Sequence, residues 1–378
     1  MSLNLSSRVA GLERTMIRKI FEAAPSDAIN LGLGQPDLVS GNSVNLAAVR
    51  AIAGGQLGYA PTAGLPRLRE LIAASYAPFT SDGSEVLVTV GSQEAMWLAC
   101  LGLCEPGQEL LLPDPGYPAY GPVATLSGLS PTRYPLHAQD RFRMRADAII
   151  SRLTPQTGAV VLCAPGNPTG ACATEGELKK LLPELADRGI PWISDEVYAG
   201  LNYLSEASQP WSIVSDGGVV VSSLSKDACM TGWRVGWVAG DAGLVRRLTA
   251  AHQYLVTCSP TVSQAAAIGA FSESGREEMR AIHRRFLQRR EQTVAQLGEV
   301  AGLRVDPPDG GFYCFIDVRE WGNSVELAKR ILDEFRVITI PGEAFGEQGV
   351  GFLRISFAAE ESQLKEGVDR IVRALSKR

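Results

Sequence analysis

The sequence predicts an α/β fold: a large domain with a mostly parallel sheet sandwiched by helices, plus a smaller α+β domain. Six short apolar runs between about residues 86 and 239, helical stretches between several of them, and polar clusters directly after the strand-like runs carry that prediction. The runs are "EVLVTV", "ELLLP", "AVVLC", "PWIS", "VVVSS" and "VGWVAG", and their unbroken apolar character is that of strands buried on both faces. "QEAMWLACLGL" after the first and "EGELKKLLPELADRG" after the third read as helices, which gives the β-α alternation of a parallel sheet.

Beyond residue 300 the pattern changes. "LRVDPPDGGFYCFIDV" reads as a strand and turn, "VELAKRILDEF" as a helix, "VGFLRISFA" as a strand and "ESQLKEGVDRIVRALSKR" as a closing helix. The expected division is an N-terminal segment, 1–40, packing on the small domain, then a large domain, 41–276, and a small C-terminal domain, 277–378, that includes a connecting helix near 277–298. "RAIHRRFLQRR" at 280–290 falls in that helix, with Ile282, Phe286 and Leu287 at helical spacing and a solvated charged face opposite them.

Composition narrows the function classes. A hydrophobic content of 45% with 20% charged residues is that of a globular chain without long disorder. The net charge of -5, with basic residues scattered, lacks the footprint of a nucleic-acid binder. Seven cysteines without a C-x-x-C pair and three widely separated histidines, His137, His252 and His283, speak against a metal site or a disulfide framework. Cys100 and Cys104 read as core. No stretch approaches the length that spans a bilayer, and the N-terminus lacks a signal-peptide core, so a cytoplasmic location is the expectation.

The polar clusters are "GSQ" at 91–93, "DPGYPAY" at 114–120, "PGNPTG" at 165–170, "DEVY" at 195–198 and "SKD" at 225–227. Open α/β sheets bind ligands beyond the carboxyl ends of their strands, so these clusters are expected to share one site. "SSLSKDACMTGWRVGW", residues 222–237, places Lys226 and Arg234 among small and apolar residues. A lysine amine so placed can form a Schiff base with an aldehyde, chemistry that pyridoxal phosphate uses most widely. That cofactor also demands a carboxylate at its ring nitrogen, donors for its phenolate oxygen, a phosphate cradle and an aromatic surface.

Taken singly, each candidate has a plainer reading. Asp195 can cap a helix, Tyr117 can be core, and Ser92 and Gln93 are ordinary helix-start residues. Arg234 can pair with Asp227 and Arg354 with a surface carboxylate, while Gly91 and Gly34 can serve turns. Together they form an ordered set: an N-P-T-G turn, a D-x-x-Y after a strand, S-x-S-K followed by an arginine in G-x-R-x-G, and a late arginine inside an apolar strand.

In that order and spacing the chain resembles the class I/II pyridoxal-phosphate-dependent aminotransferases of fold type I, the aspartate aminotransferase superfamily, from "NLGLGQPD" at 30–37 to "FLRISFA" at 352–358. The resemblance implies that Lys226 holds the cofactor aldehyde and later moves the substrate proton, and that Asp195 partners the pyridinium. It implies Tyr198 and Asn167 at the phenolate oxygen, Tyr117 stacked on the ring, and Gly91, Ser92, Gln93, Ser223, Ser225 and Arg234 around the phosphate. Arg354 resembles the clamp on the substrate α-carboxylate, with Gly34 and Asn167 beside it. Tyr59 resembles a tyrosine that crosses to the other subunit's phosphate, so a homodimer is implied.

The activity so implied is transfer of an amino group from an L-amino acid to a 2-oxo acid. Carbon-sulfur lyases share these cofactor motifs and form the alternative. A regulator fused to a DNA-binding module is disfavoured, because the resemblance begins near residue 30. Leu38 follows "GQPD" where many relatives carry an aromatic; aromatic, large apolar or dicarboxylic amino acids are the expected substrates.

Overall fold

The computed structural model describes residues 6–377, so residues 1–5 of the expected N-terminal segment lie outside the described residues. Seven strands build the main sheet: β1 (Val86–Thr89), β2 (Glu109–Asp114), β3 (Ser130–Pro135), β4 (Thr157–Cys163), β5 (Trp192–Asp195), β6 (Gly218–Ser223) and β7 (Gly236–Ala239). Their spatial order is β1-β7-β6-β5-β4-β2-β3. All neighbours pair in parallel except β7, which runs antiparallel to both β6 and β1.

Six of these strands coincide with the apolar runs, and strand alternation explains why those runs are apolar throughout. Val86, Val88, Val160, Leu162 and Val220 face one core, while Leu87, Ala159, Val161, Val219 and Val221 face another. The helix Gly91–Leu103 covers the second face, and Glu175–Asp187 covers the first through Leu178, Leu181, Leu182 and Leu185. Each fully buried leucine or valine contributes about 2 kcal/mol, and losing either helix would expose several. The seventh strand, β3, has no apolar run. It is an edge strand with one neighbour, only Tyr134 of it is buried, and such a position tolerates Pro131 and Pro135.

A second, three-stranded antiparallel sheet comprises β8 (Tyr313–Asp317), β9 (Ile340–Pro341) and β10 (Phe352–Ser356), in the order β9-β10-β8. The closing helix Glu361–Ser376 buries Leu364, Val368, Ile371 and Leu375 in the core beneath it. Ile29 and Asn30 pair in parallel with Val337 and Ile338, which draws the N-terminal chain onto this part of the molecule.

The long helix Glu273–Leu297 departs from its expected face in one respect. Arg289, expected among solvated charges, is 4% exposed and holds both carboxylate oxygens of Asp37 at 2.6 and 2.9 Å. The pair fastens the "GQPD" segment to the helix and satisfies a guanidinium that burial would otherwise strand.

Arg289→Ala is therefore expected to lower the unfolding free energy by about 3 kcal/mol, and the double variant with Asp37→Ala to cost less than the sum of the two single changes. Denaturant titration measures both; a single-variant loss below about 1 kcal/mol would contradict a paired role.

Candidate active site

Strands β1, β2, β4, β5 and β6 end on one edge of the sheet, and β7, being antiparallel, begins there. Residues just after five strands and just before one therefore converge. They meet Arg354 from β10 and Gly34 from the N-terminal chain around a cavity of about 330 Å³.

Lys226 stands three residues beyond β6, and its Nζ donates to the Gly34 carbonyl at 2.7 Å. Burial, then the nearby Arg354 and Arg234 charges, push its pKa down to about 8 from the usual 10.5. The amine is thus neutral at a pH where an exposed lysine stays charged.

Asp195 ends β5, where alternation sends it and Glu196 to opposite faces. Its Oδ2 accepts from the Tyr120 hydroxyl at 2.6 Å and its Oδ1 from the Val197 amide at 3.3 Å. Burial raises the Asp195 pKa, while Tyr120, Val197 and the Lys226 charge hold it back. Glu196 turns away, accepting from Ser194 Oγ at 2.8 Å and Trp211 Nε1 at 3.0 Å, and burial pushes it up to about 8.

Arg354 is 2% exposed, and its Nη1 donates to Asn167 Oδ1 at 2.8 Å while Nη2 donates to the Gly32 carbonyl. Its Nε has no hydrogen-bond partner. No carboxylate pairs with it among the described residues, so the plain reading as a surface ion pair fails. The guanidinium lies between the rings of Tyr313 and Phe345, 4.3 and 4.7 Å from their centroids. The Asn167–Pro168 peptide beside it is cis.

Ser92 and Gln93 open the helix Gly91–Leu103, whose first amides lack helical partners. Gly91 has φ +76, and a Cβ there would fall 2.4 Å from Arg234 Nη2, so only glycine lets the arginine lie against this turn. Arg234 itself holds φ 54 and donates Nη1 to the Thr231 carbonyl at 3.1 Å. A left-handed arginine costs on the order of 1 kcal/mol and is kept where surrounding structure aims it. Asp227 does not pair with it: that carboxylate caps the Ala228 amide at 2.8 Å and packs against Gly200.

Tyr117 is 38% exposed and lines the cavity, its hydroxyl donating to Gln93 Oε1 at 3.4 Å. Tyr198 is buried on the wall. Ser225 also lines the cavity, whereas Ser223 sits behind it, buried, accepting the Ser225 amide at 3.3 Å. Tyr59 is not in this cavity; it is 90% exposed. Tyr120, Tyr313 and Arg18 are on the cavity wall without having been anticipated. Tyr120 falls in the "DPGYPAY" cluster and Tyr313 follows a G-G turn, but no spacing distinguishes either from core tyrosine.

The chain matches the family model "Aminotransferase class I and II" over residues 26–371. It is 33% identical over 380 residues to an aspartate aminotransferase of Pyrococcus horikoshii, covering 98% of this chain and 97% of that one. A solved aminotransferase from Mycobacterium tuberculosis superposes with a TM-score of 0.93 at 31% identity, covering 100% of both chains. A solved aromatic aminotransferase from Pyrococcus horikoshii gives 0.89 at 31% identity, covering 96% and 99%.

Because the folded pKa of Lys226 lies near 8, its neutral, nucleophilic form gains population as pH rises through that value. Competitive acetylation of the cofactor-free protein, read by peptide mass spectrometry, should give a midpoint of about 8 for Lys226. Exposed lysines should titrate about two units higher; a Lys226 midpoint among theirs would contradict the burial.

Proposed function

The chain belongs to the class I and II aminotransferases, and from that membership we propose how its own residues divide the work of moving an amino group from an L-amino acid to a 2-oxo acid. It is a pyridoxal-phosphate-dependent enzyme of the transferase class. When bound, that cofactor supplies an aldehyde that exchanges amines and a ring that accepts the electron pair released at the substrate α-carbon.

The residues present fit the group. A buried amine, a carboxylate whose pKa burial raises, and an arginine against a glycine turn all face one cavity. In this reading Arg234, Ser225 and the amides at Gly91, Ser92 and Gln93 hold the phosphate, with Ser223 behind them fixing the Ser225 amide, since helix-start amides and a guanidinium favour an anion. Asp195, fixed by Tyr120, holds the proton on the ring nitrogen. Tyr198 and Asn167 donate to the ring oxygen, and Tyr117 covers the ring face.

Arg354 binds the α-carboxylate. Its Nη1 and Nη2 each keep one proton beyond their bonds to Asn167 and the Gly32 carbonyl, which suits a planar, two-point contact beside Gly34. Lys226 Nζ would then take the proton from the α-carbon and deliver it to the carbon on the far side of the transferred nitrogen, a task that needs a free amine near neutral pH. The depressed pKa of Lys226, in one cavity with Asp195, Arg234 and Arg354, is the observation that carries this reading.

A homodimer completes the proposal. Leu46, Val49 and Ile52 form an exposed stripe on the helix Asn42–Ala53, near Leu57 and Tyr59. Thr261 ties that loop, through the Gly58 carbonyl at 2.7 Å, to the chain that follows exposed Tyr254, Leu255 and Val256. These exposed apolar side chains are suited to a second copy, with Tyr59 reaching the neighbouring phosphate. All seven cysteines are free, which suits a reducing, cytoplasmic setting, and the family match suits a role in amino acid metabolism. No helix of the described residues is long and apolar enough to cross a membrane.

A donor panel assayed with 2-oxoglutarate, with ammonia and pyruvate followed alongside, tests the activity: stoichiometric amino-group transfer is expected, and ammonia release without transfer would contradict it. Lys226→Ala should abolish transfer and leave no borohydride-reducible visible band. Arg354→Lys should raise KM for every amino donor by about tenfold or more, because an ammonium cannot make the two-point contact. Sedimentation should give twice the 40.4 kDa chain mass; a monomer with full activity would rule out the shared site.

A further inference from the structure

Tyr313, at the first position of β8, is 2% exposed and contacts three residues to which the site reading gives tasks. Its hydroxyl lies 2.9 Å from the Tyr198 hydroxyl. Its ring underlies the Arg354 guanidinium at 4.3 Å. The same hydroxyl closes on Gly34 so tightly that a Cβ there would fall 1.8 Å from it, and Gly34 is the acceptor of Lys226 Nζ at 2.7 Å.

Packing alone does not explain a tyrosine here. Phenylalanine would fill the same core volume, and a buried hydroxyl costs free energy unless it is hydrogen-bonded. We propose that Tyr313 is a positioning residue of the transamination site, its hydroxyl donating to Tyr198 and its ring fixing the plane of Arg354. The inference rests on the cofactor reading above.

The direction of the hydrogen bond follows from counting protons. Each hydroxyl carries one, and Tyr198 needs its own for the cofactor's ring oxygen, so within the pair Tyr313 donates and Tyr198 accepts. A hydroxyl that accepts a bond becomes a stronger donor, so Tyr313 strengthens what Tyr198 gives. The charged and titratable groups that bear on Tyr313 are Arg354, Tyr198 and Cys163. The Tyr313 ring and that of Phe345 both lie against the Arg354 guanidinium, which lines the cavity.

The test compares wild-type holoenzyme with Tyr313→Phe, Tyr313→Leu, Tyr198→Phe and the double variant Tyr198→Phe/Tyr313→Phe. Donation to the ring oxygen disfavours protonation of the chromophore. Tyr313→Phe should therefore raise the pH midpoint of the visible band by about 0.1 to 0.3 unit, a fraction of the shift of Tyr198→Phe, which loses the whole bond. It keeps the ring under Arg354, so KM for donor and 2-oxo acid should stay within about threefold. Tyr313→Leu should show the same rise together with a KM increase of about tenfold or more. The double variant should shift the midpoint no further than Tyr198→Phe alone, because Tyr313 acts through Tyr198.

An unchanged midpoint in Tyr313→Phe, or additive shifts in the double variant, would overturn the role of Tyr313 while leaving the cofactor reading intact. A wild-type protein that takes up no pyridoxal phosphate would overturn the cofactor reading and this inference with it. Thermal melting of Tyr313→Phe guards against a folding defect, since that variant removes a single oxygen.

Discussion

Among the described residues, Lys226, Arg234, Arg354 and Arg18 bring four cationic side chains to a cavity whose wall carries one carboxylate, Asp195. Arg354 is buried and Lys226 largely so, and buried positive charge is costly in a low-dielectric interior unless anions arrive to meet it. That constraint organises the rest. Lys226 relieves part of the cost by giving up its proton readily, as its pKa near 8 records. Arg354 is held by neutral acceptors and two aromatic faces, and Arg234 by a carbonyl and a glycine turn. The two arginines are thus stabilised without being neutralised, which in the proposed function leaves them for a phosphate and a carboxylate.

The sheet makes this arrangement affordable. Five strands deliver their loops to one edge, and β7, reversed, delivers Arg234 to the same edge from its beginning. The two cores on either side of the sheet supply the stability against which a left-handed Arg234 and a desolvated lysine are held. Small residues around Lys226 keep the space open.

Much of the fold was legible because the central strands are apolar on both faces, and a six-residue apolar run leaves few alternatives. β3 was not, because an edge strand with one neighbour escapes that pressure, and Arg289 was not, because its partner Asp37 is 252 residues away. The site divided in the same way. Lys226, Asp195, Asn167 and Arg354 belong to local patterns, and the fold brings them to one cavity. Tyr120 lies in a polar cluster that gave it no task and Tyr313 in none; their contacts with Asp195, Tyr198 and Arg354 are created by tertiary structure alone. Tyr59 reads as an active-site residue in sequence yet is exposed and outside the cavity in one chain, so its role at the site belongs with the proposed homodimer.

The central claim is that the cavity's surplus cations are reserved for anions. The most direct measurement is the affinity of the cofactor-free protein for pyridoxal phosphate and for pyridoxal, in wild type and in Arg234→Ala. The account predicts that wild type prefers the phosphorylated form by about a hundredfold or more, and that the preference falls to about tenfold or less without Arg234. Equal affinity for the two forms in wild type, or a preference untouched by Arg234→Ala, would contradict it.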